Sequence, residues 1–171
     1  MIKQSDYFGG VIISYLLNSR IAKSAPVLCD ESKNCKSLSF LTDNGEYNLY
    51  IKYSRNFIKK GKDVRKCSFQ FTNEELEKIE KYKSEKSNLY IVLICTNEKL
   101  TETEIAFVTA EQAFKVLGFD NVNTKKQIHV KHLKGKHDLN IWGTMLDETK
   151  SLKIRKDFDW IFRKGHQKLI A

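Results

Sequence analysis

The stretch CSFQFTNEELEKIEKY, Cys67 to Tyr82, changes its hydrophobic period in the middle. Cys67, Phe69 and Phe71 alternate with Ser68, Gln70 and Thr72, the spacing of a strand with one buried face. Leu76, Ile79 and Tyr82 then recur at helical spacing. At the junction Thr72 is followed three residues later by Glu75, a capping box in which each side chain satisfies a backbone N–H that the first helical turn leaves open. A strand running directly into a capped helix predicts a domain that mixes both element types.

Upstream, Leu38 to Leu41 leads into the turn sequence Asp43-Asn44-Gly45, and Leu49, Ile51 and Tyr53 then alternate with Tyr50 and Lys52. Arg55 to Lys66 reads as a polar, lysine-rich connection. Near the start, Asp6 is the expected N-cap of a helix ending near Arg20, with Tyr7, Phe8, Val11, Ile12, Tyr15 and Leu16 at three- and four-residue steps. Ile13 and Leu17 widen its apolar face, which could also form a dimer seam. Gly9 and Gly10 each cost it roughly 1 kcal/mol relative to Ala.

Downstream, Leu89 to Cys95 is an unbroken apolar run of seven, suited to a central strand covered on both faces. Ile105 to Val108 predicts another strand, and Thr109 with Gln112 caps a helix carrying Ala113, Phe114 and Leu117 before Gly118. Ile128 to Leu133 and Leu139 to Trp142 predict two strands joined by Lys134-Gly135-Lys136-His137. Ile154, Phe158, Ile161 and Phe162 predict a C-terminal helix. The expectation is an α+β fold with a small mixed sheet and helices packed on it. Its core order is α-β-β-β-α-β, followed by a β-α-β-β-α extension. The 171 residues contain one proline and no Gly/Ser linker, so residues 1–171 read as a single domain.

With 41% hydrophobic and 30% charged residues the chain can build a core, and no apolar run approaches the ~20 residues of a membrane span. No cysteine pair has metal or redox spacing. Cys67 and Cys95 read as small buried hydrophobes, and nothing suggests secretion, so the expected location is cytoplasmic.

Asn48-Leu49-Tyr50-Ile51-Lys52-Tyr53-Ser54, followed by Phe69-Gln70-Phe71-Thr72 and Tyr90 to Cys95, is similar to a group of uncharacterised small bacterial proteins with a strand of the LYIKYS type. The similarity covers roughly residues 7 to 110 and implies a shared fold, with no activity to carry over. The element order also resembles that of the restriction-endonuclease-like (PD-(D/E)XK) fold. That resemblance implies two carboxylates holding Mg²⁺ and a lysine that positions the attacking water. Here Asp43, Glu46 and Lys52 are the candidate catalytic residues. The second acid should stand at position 50, where Tyr50 is a poor Mg²⁺ ligand. The expected site is therefore degenerate, and a cofactor, Mg²⁺, enters only if the nuclease is active. No protein metal site is expected, since His129 and His132 fall on opposite faces of a strand.

The net charge of +9 is unevenly spread. Arg55–Lys66 holds six bases against Asp63, Lys125–His137 five lysines and no acid, and Lys150–Lys168 seven bases against Asp157 and Asp159. Glu74–Glu111 carries nine acids and five lysines. Such segregation predicts an oriented phosphate-binding face. The candidate nucleic-acid-binding residues are Arg55, Lys59, Lys60, Lys62, Arg65, Lys66, Lys125, Lys126, His129, Lys131, Lys134 and Lys136. Lysine outnumbers arginine 25 to 5, which favours backbone contact over base reading. Tyr53, Phe57, Trp142, Trp160 and Phe162 lie beside the bases, where exposed rings could stack on unpaired bases. The expected partner is nucleic acid, DNA before RNA, in bacterial or phage defence or counter-defence. The alternatives are an acidic protein docked on the same face and an active Mg²⁺-dependent nuclease.

Overall fold

The structure, a computed structural model, describes residues 1–32, 35–86, 88–118, 125–157 and 159–162. It is an α+β fold. In chain order come α1 (Gln4–Asn18), β1 (Val27–Ser32), β2 (Cys35–Thr42), β3 (Gly45–Ser54), β4 (Ile58–Lys60), β5 (Val64–Phe71), α2 (Asn73–Glu85), β6 (Leu89–Thr96), β7 (Thr103–Thr109), α3 (Ala110–Leu117), β8 (Lys126–Leu133), β9 (Asp138–Gly143) and β10 (Leu152–Arg155).

The strands divide between two five-stranded sheets. The first has the order β1-β2-β3-β6-β7 and is mixed, because β6 runs parallel to β3 while the other pairs are antiparallel. The second, β10-β9-β8-β5-β4, is wholly antiparallel. The elements of the first sheet with α1 and α2 thus keep the order α-β-β-β-α-β. Its third strand is β3, though, and the β4–β5 hairpin is a detour into the second sheet before α2.

The first sheet is buried on both faces, and alternation along β3 and β6 explains how. Leu49, Ile51, Val92 and Ile94 point to one side, where Phe8, Ile12 and Leu16 of α1 and the 3₁₀ turn Asp159–Phe162 cover them. Tyr50, Ile91, Leu93 and Cys95 point to the other, against Cys67, Phe69, Ile128, Val130 and Ile141 of the second sheet and Ile79 of α2. Each such fully buried large side chain contributes about 1.5–3 kcal/mol. The second sheet has only this one face in the core. Gly143 of β9 marks the tightest packing: a Cβ there would stand 1.9 Å from the Gln127 carbonyl oxygen and 2.7 Å from Val116 Cγ1.

Several expectations change. Lys3, not Asp6, is the N-cap of α1; Asp6 is its third residue and accepts the Lys3 backbone N–H at 2.7 Å. Tyr7, Val11 and Leu17 of that helix remain exposed. Arg55–Lys66 is largely a β-hairpin turned at Gly61, whose φ of +69° suits glycine. Where a C-terminal helix was expected, Leu152 and Ile154 alternate with Lys153 and Arg155 in β10, an edge strand. Phe158 lies outside the described residues.

Cys67 and Cys95 are not separate hydrophobes. They form a disulfide that ties β5 of the second sheet to β6 of the first. Period-two alternation correctly aims both side chains inward but cannot show that two strands from different sheets face each other. Among the described residues no helix is long and apolar enough to cross a membrane.

Candidate nucleic-acid interface

Because Cys67, Phe69 and Phe71 of β5 point into the core, Lys66, Ser68 and Gln70 point away from it. The same parity turns Gln127, His129 and Lys131 of β8 outward, with Ile128 and Val130 buried. Strand register then arranges these residues in rows. One row crosses all five strands as Ile58, Lys66, Lys131, Asn140 and Lys153. The neighbouring row is Ser68, His129 and Trp142. Lys60 lies opposite Val64 and Arg155 opposite Asp138, which adds a base at each edge of the same surface.

The described parts of the three basic segments therefore meet on one sheet; Arg163, Lys164 and Lys168 of the third segment lie outside the described residues. At one end of it the turns at Gly61 and Gly135 lie together, joined by the Lys134 N–H donating to the Asp63 carbonyl at 2.8 Å. They bring the exposed Lys62, Lys134 and Lys136 side by side. Lys125 is exposed just before β8 begins, at the other end of that strand.

Charges on this surface sense one another. Lys131 donates to Glu148 at 2.6 Å, and that contact, with the fields of Lys66 and Lys60, holds the Glu148 carboxyl below its ordinary range. His129 Nδ1 is 2.7 Å from Ser68 Oγ. Burial and the charge of Lys66 push the His129 imidazole below 6.5, against a smaller upward pull from Glu148. Lys66 Nζ stands 4.8 Å from the Trp142 ring centroid, and the His129 ring packs 5.3 Å from the same indole. Trp142 is only 6% exposed under this cover. Tyr53 stacks on Phe8 at 4.5 Å and Phe162 is buried, so the described aromatics near the bases serve packing. The outward face offers ammonium groups, amides and the Arg155 guanidinium, which lies 3.7 Å from Asp157.

Not every predicted base reaches that face. Arg65 is on the core side of β5 and binds Glu104 at 3.0 Å. Glu104, on β7 of the other sheet, is 5% exposed and also holds His132 at 2.9 Å and Lys156 at 3.2 Å. Lys59, opposite Arg65, pairs with Glu102 at 2.6 Å. Lys126 is buried at the start of β8, where even-numbered residues point inward. Lys153 and Arg155 are outward bases missed as strand residues, although the Leu152/Ile154 alternation carries their signal.

Lys52 lies apart from both candidate catalytic acids. Glu46 shares its strand and face but is six residues away, about 20 Å along β3. Glu46 accepts from Ser39 Oγ at 2.7 Å, and Asp43 in the β2–β3 turn pairs with Lys23 at 3.5 Å. The acid that meets Lys52 is Glu75, at 2.5 Å; the lysine is 6% exposed and its Nζ lies 4.8 Å from the Phe71 ring centroid. Glu75 is also the capping-box acid, accepting the Thr72 N–H through its other oxygen at 2.8 Å. Tyr50 donates to the Cys35 thiol at 3.1 Å, and burial drives its phenol far above 10. Among the described residues, no group of three or more His, Cys, Asp or Glu side chains is placed to hold a metal ion.

Comparison with protein-family models, with curated proteins and with solved structures finds no match to this chain.

Proposed function

We propose that the protein binds nucleic acid through the outward face of its second sheet and performs no phosphodiester chemistry there. One observation carries the reading. The described parts of three basic segments separated in sequence lie on strands of one sheet, with Lys60, Lys66, Lys131, Lys153 and Arg155 facing outward. Ammonium groups on a rigid sheet neutralise phosphates without reading bases, so the binding is electrostatic and largely independent of sequence. The distance of Asp43 and Glu46 from Lys52, and the engagement of Lys52 with Glu75, favour binding over catalysis.

The Cys67–Cys95 bond persists in an oxidising compartment. A cytoplasmic location requires the fold to hold with both thiols reduced.

The experiment is affinity against salt, for single- and double-stranded DNA and RNA, with wild type and the Lys66→Glu/Lys131→Glu variant. If five contacts form, the expected slope of log affinity against log salt is about −4. The double variant loses most of the affinity. Binding that is flat with salt and indifferent to the substitutions refutes the proposal and turns attention to an acidic protein partner.

A further inference from the structure

Beside the basic face, the ends of β3 and β5 border an open cleft of about 710 Å³, mouth included. Its lining includes Lys52, Ser54, Arg55, Asn56, Ser68 and Gln70. Among the described residues no carboxylate lines it. On a chain with 21 acidic residues, a polar cleft of that size without one is suited to an anion.

The backbone adds donors. β4 pairs with β5 only from Val64 to Lys66, so among the described residues the edge of β5 at Ser68–Gln70 has no strand on that side. Open edges present alternate N–H and C=O groups.

The two cations differ. Lys52 is pinned by Glu75, which balances its charge while leaving donors on the ammonium unused. Arg55 is exposed and, among the described residues, donates to the Glu98 carbonyl at 3.5 Å. Among the described residues no carboxylate lies within ion-pair distance of it. Its guanidinium fork matches the geometry of a phosphate.

We propose that this cleft seats a phosphate monoester of a nucleotide, with Arg55 as the principal charge and Lys52, Ser54, Asn56 and Gln70 as donors around it. A monoester carries nearly two negative charges at neutral pH, against one for the diester inside a strand, so the cleft selects ends over interior phosphates. The proposal rests on the binding face described above for its context. Ser68 lines the cleft and bonds His129 on that face, so a strand lying on the sheet can turn its end into the cleft. The monoester can come from a strand terminus or from a free mononucleotide.

The test compares one oligonucleotide with 5′-phosphate, 3′-phosphate and hydroxyl ends by fluorescence anisotropy, with AMP followed separately by amide shifts. A terminal phosphate at one end should tighten binding roughly tenfold. Arg55→Ala should abolish that gain, so that all three oligonucleotides bind the variant alike. Lys66→Glu should weaken all three alike and preserve their ratio. If no oligonucleotide binds but AMP shifts Asn56 and Gln70 in wild type and not in Arg55→Ala, the face reading fails and the cleft stands with a mononucleotide. Equal binding of all three oligonucleotides to wild type, with AMP shifting neither amide, overturns the cleft.

Discussion

Two cations, Arg65 and Lys156, and the His132 imidazole converge from three segments on the carboxylate of Glu104, and only the carboxylate and His132 are deeply buried. Glu104→Ala removes the charge-assisted bonds of Arg65, His132 and Lys156 together. Since Arg65 and Lys156 can turn partly to water, the expected loss is about 1.5–3 kcal/mol, read as a lower denaturant midpoint with an unchanged slope. His129 allows a sharper reading, by NMR titration. Its pKa lies below 6.5, chiefly through burial and then through Lys66. Lys66→Ala should raise it and Glu148→Gln should lower it. The sign for stability follows from the direction. With the folded value depressed, the unfolded chain takes up the proton first as pH falls. This contribution is complete above 6.5 and lost as pH drops from 6.5 through the folded value. If neither variant moves the His129 pKa, or each moves it against the expected direction, His129 does not sense the basic face.

Among elements, α2 is held by a residue that serves twice. Glu75 closes the capping box and balances the buried Lys52. Thr72→Ala should cost about 1 kcal/mol, the usual loss of a cap. Glu75→Ala should cost about 3–5 kcal/mol, because it also leaves a buried ammonium unpaired. Thermal or urea unfolding of both variants checks the ratio, and equal losses would show that Lys52 finds water or another acid. This pair also marks how far sequence carries. The strand at Cys67–Phe71, the capping box, the central strand β6 and the separation of His129 from His132 are all local patterns, and periodicity exposes them. β1 was missed because Val27-Leu28-Cys29-Asp30-Glu31-Ser32 has no alternation; as an edge strand it needs little. The division of strands between sheets is not local. Nothing in Cys67–Phe71 says that it pairs with Lys126–Leu133 rather than with β3. The basic segments were legible as charge runs, whereas the inward aim of Arg65 and Lys126 needed the register.

For the whole molecule, the two sheets are joined by shared core, by the Glu104 cluster and by one covalent bond. Reducing Cys67–Cys95, which are 28 residues apart, should lower stability by about 3–4 kcal/mol on a loop-entropy account. Unfolding with and without reductant, beside a Cys67→Ala/Cys95→Ala variant, measures it. No difference would mean that the packing of Phe69, Ile91 and Ile128 suffices. The bond also bears on the order of synthesis. Every strand of the first sheet lies before residue 110, and both sulfurs lie before residue 96. A chain emerging into an oxidising compartment can therefore complete that sheet and close the ring before β8, β9 and β10 have emerged. β5 then waits, already anchored to β6, with β4 as its only neighbour. The strands that carry most of the basic face are the last to be translated, and they assemble on a template fixed in place before they arrive.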